Sequence, residues 1–181
     1  MLKQVDVFYN GWGACWRWGS LRATTAVNGR ELVAFEYSEL SVYTLPLKGP
    51  RLRMGFPAHQ WGLPGPVYDA LPDGWGMLLM DRFFKRKGLS TARMGALERL
   101  AYIGSTAMGA MSFEPVVDEA LPVPEAISLA QLAAEVQQVQ QGEGGEFLQR
   151  LLQMGGSPQG ARPKVLLYRN PATEVFSTVE Q

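Results

Sequence analysis

Residues 5–21 (VDVFYNGWGACWRWGSL) and 31–37 (ELVAFEY) carry the pattern that decides the fold. In both stretches large apolar side chains recur at alternate positions, which is typical of half-buried β-strands and not of helices. The pair Asn28-Gly29 lies between them, and both residues tolerate positive φ, so a tight hairpin is expected there. The pattern predicts three or more short antiparallel strands between Val5 and about Leu47.

The segment that follows is interrupted by proline and glycine. Residues 48–66 contain four prolines and four glycines, which predicts a long loop or linker. Asp73 is a favourable N-cap, and the apolar spacing after it predicts a helix through Lys87 that ends at Gly88.

A second helix and a short strand complete the first part of the chain. Ser90 or Thr91 is expected to cap this helix, and Gly104 to end it. A strand is predicted at Met111 and Phe113, bounded by Pro115.

Composition then marks a boundary, because residues 117–126 read as a linker. The fold class predicted for the whole chain is α+β, with a first domain at 1–116 and a second part at 127–181. The second part is expected to contain a helix capped by Ser128, a short helix at 146–154, a strand at 165–168, a turn at Asn170-Pro171 and a strand at 174–179.

Composition also limits the function. The chain has 181 residues, 46% hydrophobic and 19% charged, which is typical of a folded globular protein. Seventeen basic residues balance 17 acidic ones, so no global field favours nucleic acid or membrane. One cysteine, Cys15, and one histidine, His59, are too few for a disulfide or a structural zinc site. No leader or spanning segment is evident, and a cytoplasmic location is expected.

A glycine-rich loop before the strand at 165–168 is the segment most suggestive of chemistry. Its glycines, Gly155, Gly156 and Gly160, would let backbone N–H groups approach phosphate oxygens without interference from a Cβ atom. Lys164 would then meet a phosphate as a point charge. The spacing matches neither the dinucleotide nor the P-loop fingerprint, so an ordinary connecting loop remains the alternative.

Three ordered stretches resemble the HipA-like kinases. Residues 155–167 (GGSPQGARPKVLL) are similar to the family's GGSPGGARPKALV, and residues 71–82 (LPDGWGMLLMDR) to its LPDSWGRRLLDR. Residues 97–115 (LERLAYIGSTAMGAMSFEP) are similar to DRLAYIGRRGMGALEYEP. The opening residues 5–21 and the stretch LPLKGPRL at 45–52 also look like the family's amino-terminal domain.

The resemblance implies a small amino-terminal domain followed by the start of a protein-kinase-like N-lobe. It implies that the serine of the loop, Ser157, is a site of autophosphorylation that shuts the kinase off. The loop would face the phosphates of ATP, with Mg²⁺ as the metal of the complete kinase. The nucleotide-binding residues that it implies are Gly156, Ser157, Gly160, Ala161 and Lys164.

Members of the family continue to the nucleotide-clamping lysine, the catalytic residues and the metal-binding aspartate, and none of these motifs has a counterpart before Gln181. We therefore expect no catalytic or metal-binding residue in this chain, no tight ATP binding and no kinase activity by the chain alone.

Two functions follow from the resemblance. In the first, the chain is the N-terminal part of a toxin kinase that phosphorylates a translation component, such as a tRNA-charging enzyme. Its partner would be a HipB-like helix-turn-helix antitoxin, through which it would meet DNA only indirectly. In the second, the chain is a non-catalytic subunit that binds and restrains a separate HipA-like kinase.

Two further surfaces have alternative interpretations. A basic cluster at the end of the first helix could contact DNA phosphates or be a solvated helix end. Its members are Arg82, Lys85, Arg86 and Lys87. Tryptophans near residues 11–18, if they are exposed, would indicate a partner surface.

Overall fold

The computed structural model describes residues 2–25, 31–39, 41, 51–53, 56, 62–117, 128–142, 151, 160 and 162–177. The strands are β1 (Gln4–Gly11), β2 (Ala14–Thr25), β3 (Glu31–Tyr37), β4 (Leu52–Arg53), β5 (Met111–Glu114), β6 (Tyr168–Arg169) and β7 (Phe176–Ser177). The helices are α1 (Gly65–Ala70), α2 (Gly74–Arg86), α3 (Ala96–Ile103) and α4 (Leu129–Gln140), and Thr91–Arg93 forms a turn of 3₁₀-helix.

These elements belong to two compact units. The first unit combines Met1–Leu71 with Ala92–Asp118, and the second combines Pro72–Thr91 with Glu119–Gln181. The segment Pro72–Thr91, which contains α2, therefore groups with the C-terminal residues. The domain limits drawn from the sequence stay a prediction.

The first unit is built on a five-stranded antiparallel sheet in the order β4-β3-β2-β1-β5. Pairing between β1 and β2 runs from Gln4 opposite Arg22 to Gly11 opposite Ala14, and one extra residue on β2 shifts the register after Val7. The α+β class is confirmed. The Asn28-Gly29 turn lies outside the described residues.

The core of this unit follows the alternation of its strands. Val5, Leu21 and Phe35 lie directly opposite one another on three adjacent strands, and all three are fully buried. Directly opposed side chains on one face pack together, so the alternation predicted from the sequence becomes a continuous apolar layer. The buried cluster comprises Val5, Val7, Trp18, Leu21, Val33, Phe35, Tyr37, Leu63, Val67, Ala70, Leu71, Ala96, Leu97, Leu100, Ala101 and Phe113.

A polar cluster joins β1 to β2. Asp6 Oδ1 accepts hydrogen bonds from Ser20 Oγ at 2.7 Å, Arg17 Nη2 at 2.8 Å and Gln4 Nε2 at 2.9 Å. Burial alone would raise the pKa of Asp6, but the hydrogen bonds from Ser20, Arg17 and Gln4 and the charge of Arg17 outweigh it, and the pKa lies below its ordinary value. The ionised carboxylate thus supports strand pairing.

Helix α3 begins later than the sequence indicated. Its N-cap is Gly95 and not Ser90 or Thr91, because the carboxylate of Glu98 accepts the Gly95 N–H at 3.1 Å and so pairs a backbone donor at the helix start. The other Glu98 oxygen accepts the Leu2 N–H at 2.8 Å, which ties the start of the chain to this helix. The predicted end at Gly104 is confirmed, with φ of 55° at that residue.

Residues 48–66 are not entirely irregular. Leu52–Arg53 pairs with β3 as an edge strand, and α1 begins at Gly65. The prolines had indicated a loop and not a helix. Pro66 is compatible with α1 because it lies in the first turn, where a missing N–H costs no hydrogen bond.

The second unit contains the predicted helices α2 and α4. On α2, the buried residues Trp75, Leu79 and Phe83 recur four apart and form the apolar stripe of an amphipathic helix. Leu78, one position before the buried Leu79, is 41% exposed because it lies beside this stripe and not on it. Ser128 occupies the predicted N-cap position of α4, but its side chain makes no capping hydrogen bond.

The C-terminal strands are shorter than expected. Antiparallel pairing joins only Tyr168–Arg169 to Phe176–Ser177, and Val165 to Leu167 lie before it without strand geometry. The predicted turn is confirmed, since Asn170 Oδ1 accepts the N–H groups of Ala172 at 2.9 Å and Thr173 at 3.3 Å. The helix predicted at 146–154 lies outside the described residues except for Leu151, and the kinase N-lobe remains a prediction.

Candidate functional site

The start of helix α2 is the structural basis of the candidate site. Asp73 occupies the N-cap position in extended geometry, with φ of −121° and ψ of 177°. Its carbonyl accepts the first bond of the helix, from the Met77 N–H at 3.3 Å. The predicted N-cap position is confirmed, but the Asp73 side chain makes no hydrogen bond to its own helix.

The carboxylate of Asp73 instead binds the glycine-rich loop. Gly160, which lies 87 residues further along the chain, donates its N–H to Asp73 Oδ1 at 2.8 Å. The carbonyl of Gly160 accepts the Trp75 N–H at 3.2 Å. We call Asp73, Trp75 and Gly160 the loop anchor; all three residues belong to the second unit.

The loop anchor also completes the helix. The first N–H groups of any α-helix have no partner within the helix, and the Trp75 N–H is one of them. Because Trp75 is only 3% exposed, water has little access to this residue, and the Gly160 carbonyl supplies the acceptor.

Lys164 lies against Gly160. The φ of Gly160 is 119°, a conformation that favours glycine, and a Cβ atom at this position would come within 2.9 Å of Lys164 Nζ. The ammonium group is therefore next to the backbone of the loop anchor. A side chain at residue 160 would both strain the backbone and displace the lysine.

The structure thus brings together two of the five nucleotide-binding residues predicted from the sequence, Gly160 and Lys164. The other three, Gly156, Ser157 and Ala161, lie outside the described residues, and their roles stay predictions. Sequence reasoning missed the part of Asp73 and Trp75 in this site. Both lie in the stretch LPDGWG that resembles the family. Asp73 was interpreted as a helix N-cap, a role that does not require a partner elsewhere in the chain.

The basic cluster is partly used in packing. Arg82 donates a hydrogen bond to the carbonyl of Val139, in the last turn of α4. A positive charge there also interacts favourably with the negative end of the helix dipole. Lys87 Nζ lies 5.5 Å from the centroid of the Phe83 ring. Lys85 and Arg86 are exposed. These contacts favour the solvated helix end, while the contact with DNA remains a prediction.

An aromatic group lies at the turn between β1 and β2, in the first unit. Trp12 is 93% exposed and has φ of 52°, and its ring centroid lies 5.5 Å from that of Tyr9. The Tyr9 ring also lies 4.5 Å from Trp16, whereas Trp18 is buried in the core. An exposed tryptophan in this segment was expected to indicate a partner surface, and Trp12 is such a residue. Cys15 beside it is an exposed free thiol.

The described part of the chain lacks two features. No group of three or more His, Cys, Asp or Glu side chains there could hold a metal ion. No helix among the same residues has the length and hydropathy needed to cross a membrane.

Fold and site together define an α+β protein in which a glycine-rich loop is attached to the start of a helix. Residues 16–114, more than half of the chain, match the family model described as HipA N-terminal domain. The chain belongs to this family and is a HipA-like protein, in which these residues correspond to the HipA N-terminal domain. No curated protein matches the sequence.

Proposed function

We propose that the chain supplies the N-terminal domain and the glycine-rich loop of a HipA-like serine/threonine kinase toxin. The observation that supports it best is the position of Gly160, a loop residue that is bound to the start of α2 and lies beside the Lys164 ammonium group. Loop amides and a lysine are the groups that kinases direct at nucleotide phosphates.

One described amide of the loop supports the binding of an anion. The Gly160 N–H already donates to a carboxylate oxygen, so the loop presents a donor to a negatively charged acceptor. Because that amide is paired with Asp73, we assign the phosphates to the amides of Gly156, Ser157 and Ala161 and to the ammonium group of Lys164. Gly160 would provide the positive φ that the loop needs at this point. Bound ATP with Mg²⁺ would supply the transferred phosphoryl group.

The wider role follows from the same proposal. The complete kinase would phosphorylate a translation component, such as a tRNA-charging enzyme, in the cytoplasm. A HipB-like helix-turn-helix antitoxin would restrain it, and phosphate on Ser157 would shut it off. Because no motif for the catalytic or metal-binding residues is found in residues 1–181, we expect no phosphoryl transfer by this chain alone.

Titration of the isotopically labelled chain with ATP and Mg²⁺ tests the proposal. Resonances of the loop amides should shift at millimolar nucleotide, and Lys164→Ala should weaken the affinity about fivefold to tenfold through loss of one charged contact. Lys85→Ala, which removes an exposed lysine on α2, is the matched control and should leave the affinity unchanged. Shifts absent from the loop, or equal affinities for the wild type and Lys164→Ala, would contradict the assignment.

The exposed Trp12 favours a second function, that of a subunit that binds a separate HipA-like kinase chain. A flat aromatic side chain that is 93% exposed is costly in water and is typical of interface anchors. Under this proposal the aromatic group at the β1–β2 turn contacts the kinase, and the glycine-rich loop has no catalytic part.

Calorimetry with a separate HipA-like kinase chain tests this alternative. Trp12→Ala should weaken binding of the kinase chain by about 2 kcal/mol, as for an interface hot spot. Leu52→Ala, which shortens another exposed apolar side chain of the same unit, serves as the control and should have little effect. The alternative fails if the kinase chain does not bind or if both variants bind like the wild type.

A further inference from the structure

We infer that Asp73 is a positioning residue for the glycine-rich loop, which it holds through Gly160 in the arrangement that receives phosphate. The inference rests on the proposed function and assigns a role to a residue outside the loop itself. Its basis is the loop anchor, in which one carboxylate and one helix amide bind the two backbone groups of a single glycine.

The first argument is the choice of partner made by the carboxylate. At an N-cap, an aspartate ordinarily accepts an N–H of its own first turn, and this local bond is the most accessible one. Asp73 makes no such bond and accepts the Gly160 N–H at 2.8 Å. A charge-assisted bond across 87 residues therefore replaces the local cap, so the side chain acts on the loop and not on its helix.

The second argument is the geometry of attachment. The N–H and the C=O of Gly160 belong to two successive planar peptide groups. Asp73 binds the first of these groups, and the Trp75 N–H binds the second at 3.2 Å. Because both peptide planes are held by the start of one helix, the direction in which the chain enters and leaves Gly160 is set.

The third argument is the neighbourhood of Lys164. A Cβ atom on Gly160 would lie 2.9 Å from Lys164 Nζ, so this ammonium group lies directly beside the glycine that Asp73 holds. Releasing Gly160 from Asp73 would therefore change the surroundings of the lysine. Holding binding groups in place before the ligand arrives raises affinity, because less conformational entropy is lost on binding.

Asp73 could in principle act in the opposite sense, as an anion that competes with phosphate for the Gly160 amide. The two roles predict opposite effects of removing the carboxylate. A positioning residue is needed for binding, and a neutral acceptor can replace it in part. A competitor weakens binding, and either neutral substitution would strengthen it.

Three variants separate these outcomes: Asp73→Ala, Asp73→Asn, which keeps a neutral oxygen acceptor, and Asp69→Ala, which removes an exposed carboxylate of helix α1 as the control. Hydrogen exchange of the Gly160 and Trp75 amides is measured without nucleotide. Titration with ATP and Mg²⁺ then gives the affinity of each variant.

We expect Asp73→Ala to accelerate exchange of the Gly160 amide at least about tenfold and to weaken ATP binding by a similar factor. Asp73→Asn should retain most of the protection of the Gly160 amide and most of the ATP affinity, because an oxygen acceptor remains. Asp69→Ala should resemble the wild type in both measurements. Stronger ATP binding by the two Asp73 variants, or unchanged exchange in Asp73→Ala, would overturn the inference.

The design distinguishes this inference from the proposed function. If wild type and Asp73→Ala bind ATP equally well, Asp73 does not position the loop, but the proposed function stands. If no variant binds ATP, the proposed function and the positioning role both fail, and the exchange data then report only a structural contact.

Discussion

Replacing Phe35 by alanine should lower the free energy of unfolding of the first unit by about 3–5 kcal/mol, the loss typical of a large buried aromatic residue. Phe35 is fully buried at the centre of β3. Its ring centroid lies 4.9 Å from that of Trp18 and 4.8 Å from that of Tyr37, the latter in an edge-to-face arrangement. The substitution removes both contacts and leaves a cavity under the sheet.

Urea denaturation followed by tryptophan fluorescence measures this loss, since Trp18 contacts the Phe35 ring directly. Leu32→Ala on the same strand is the control. Its side chain is 37% exposed, so less than about 1 kcal/mol should be lost. Equal effects of the two substitutions would show that the packing around Phe35 is not the main source of stability in this unit.

The second large effect is expected at Gly19, where alanine should cost about 3 kcal/mol. A Cβ atom there would lie 2.5 Å from the Glu36 carbonyl oxygen and 2.5 Å from the Phe35 ring. Backbone and a buried ring cannot move aside as a surface side chain can, so β2 and β3 would have to separate locally.

Gly11→Ala provides a matched control on the neighbouring strand. The three atoms nearest to its added Cβ all belong to the outer part of the Tyr9 ring and none to the backbone, so a smaller loss than at Gly19 is expected. Thermal unfolding by circular dichroism compares the two variants. A melting temperature of Gly19→Ala close to that of Gly11→Ala would contradict the close approach at Gly19.

The sequence was informative where local chemistry decides the structure. Alternating apolar residues predicted the strands of the sheet, and helical spacing predicted α2 and α4. Positions that depend on a partner distant in the chain were missed. The start of α3 depends on Glu98, whose carboxylate accepts the N–H groups of both Gly95 and Leu2. The edge strand β4 has two residues and exists because β3 lies beside it.

Glu135 is a similar case on α4. Leu132 and Val139 of this helix are buried, but the apolar Leu129 is 52% exposed while the charged Glu135 is 2% exposed. Gln131 Nε2 donates to Glu135 Oε1 at 3.2 Å. A charged residue cannot be assigned to an interior from periodicity alone, because burial of its carboxylate depends on the groups that surround it in the folded unit.

The sequence by itself determined the α+β class, the antiparallel sheet and the membership in the HipA N-terminal domain family, because these follow from periodicity and from ordered motifs along the chain. Only the tertiary structure decided that Asp73 binds Gly160 and that Lys164 lies against the same glycine. The reason is physical: a carboxylate at a helix start has a local partner available, and its choice of a distant one depends on where folding places the loop.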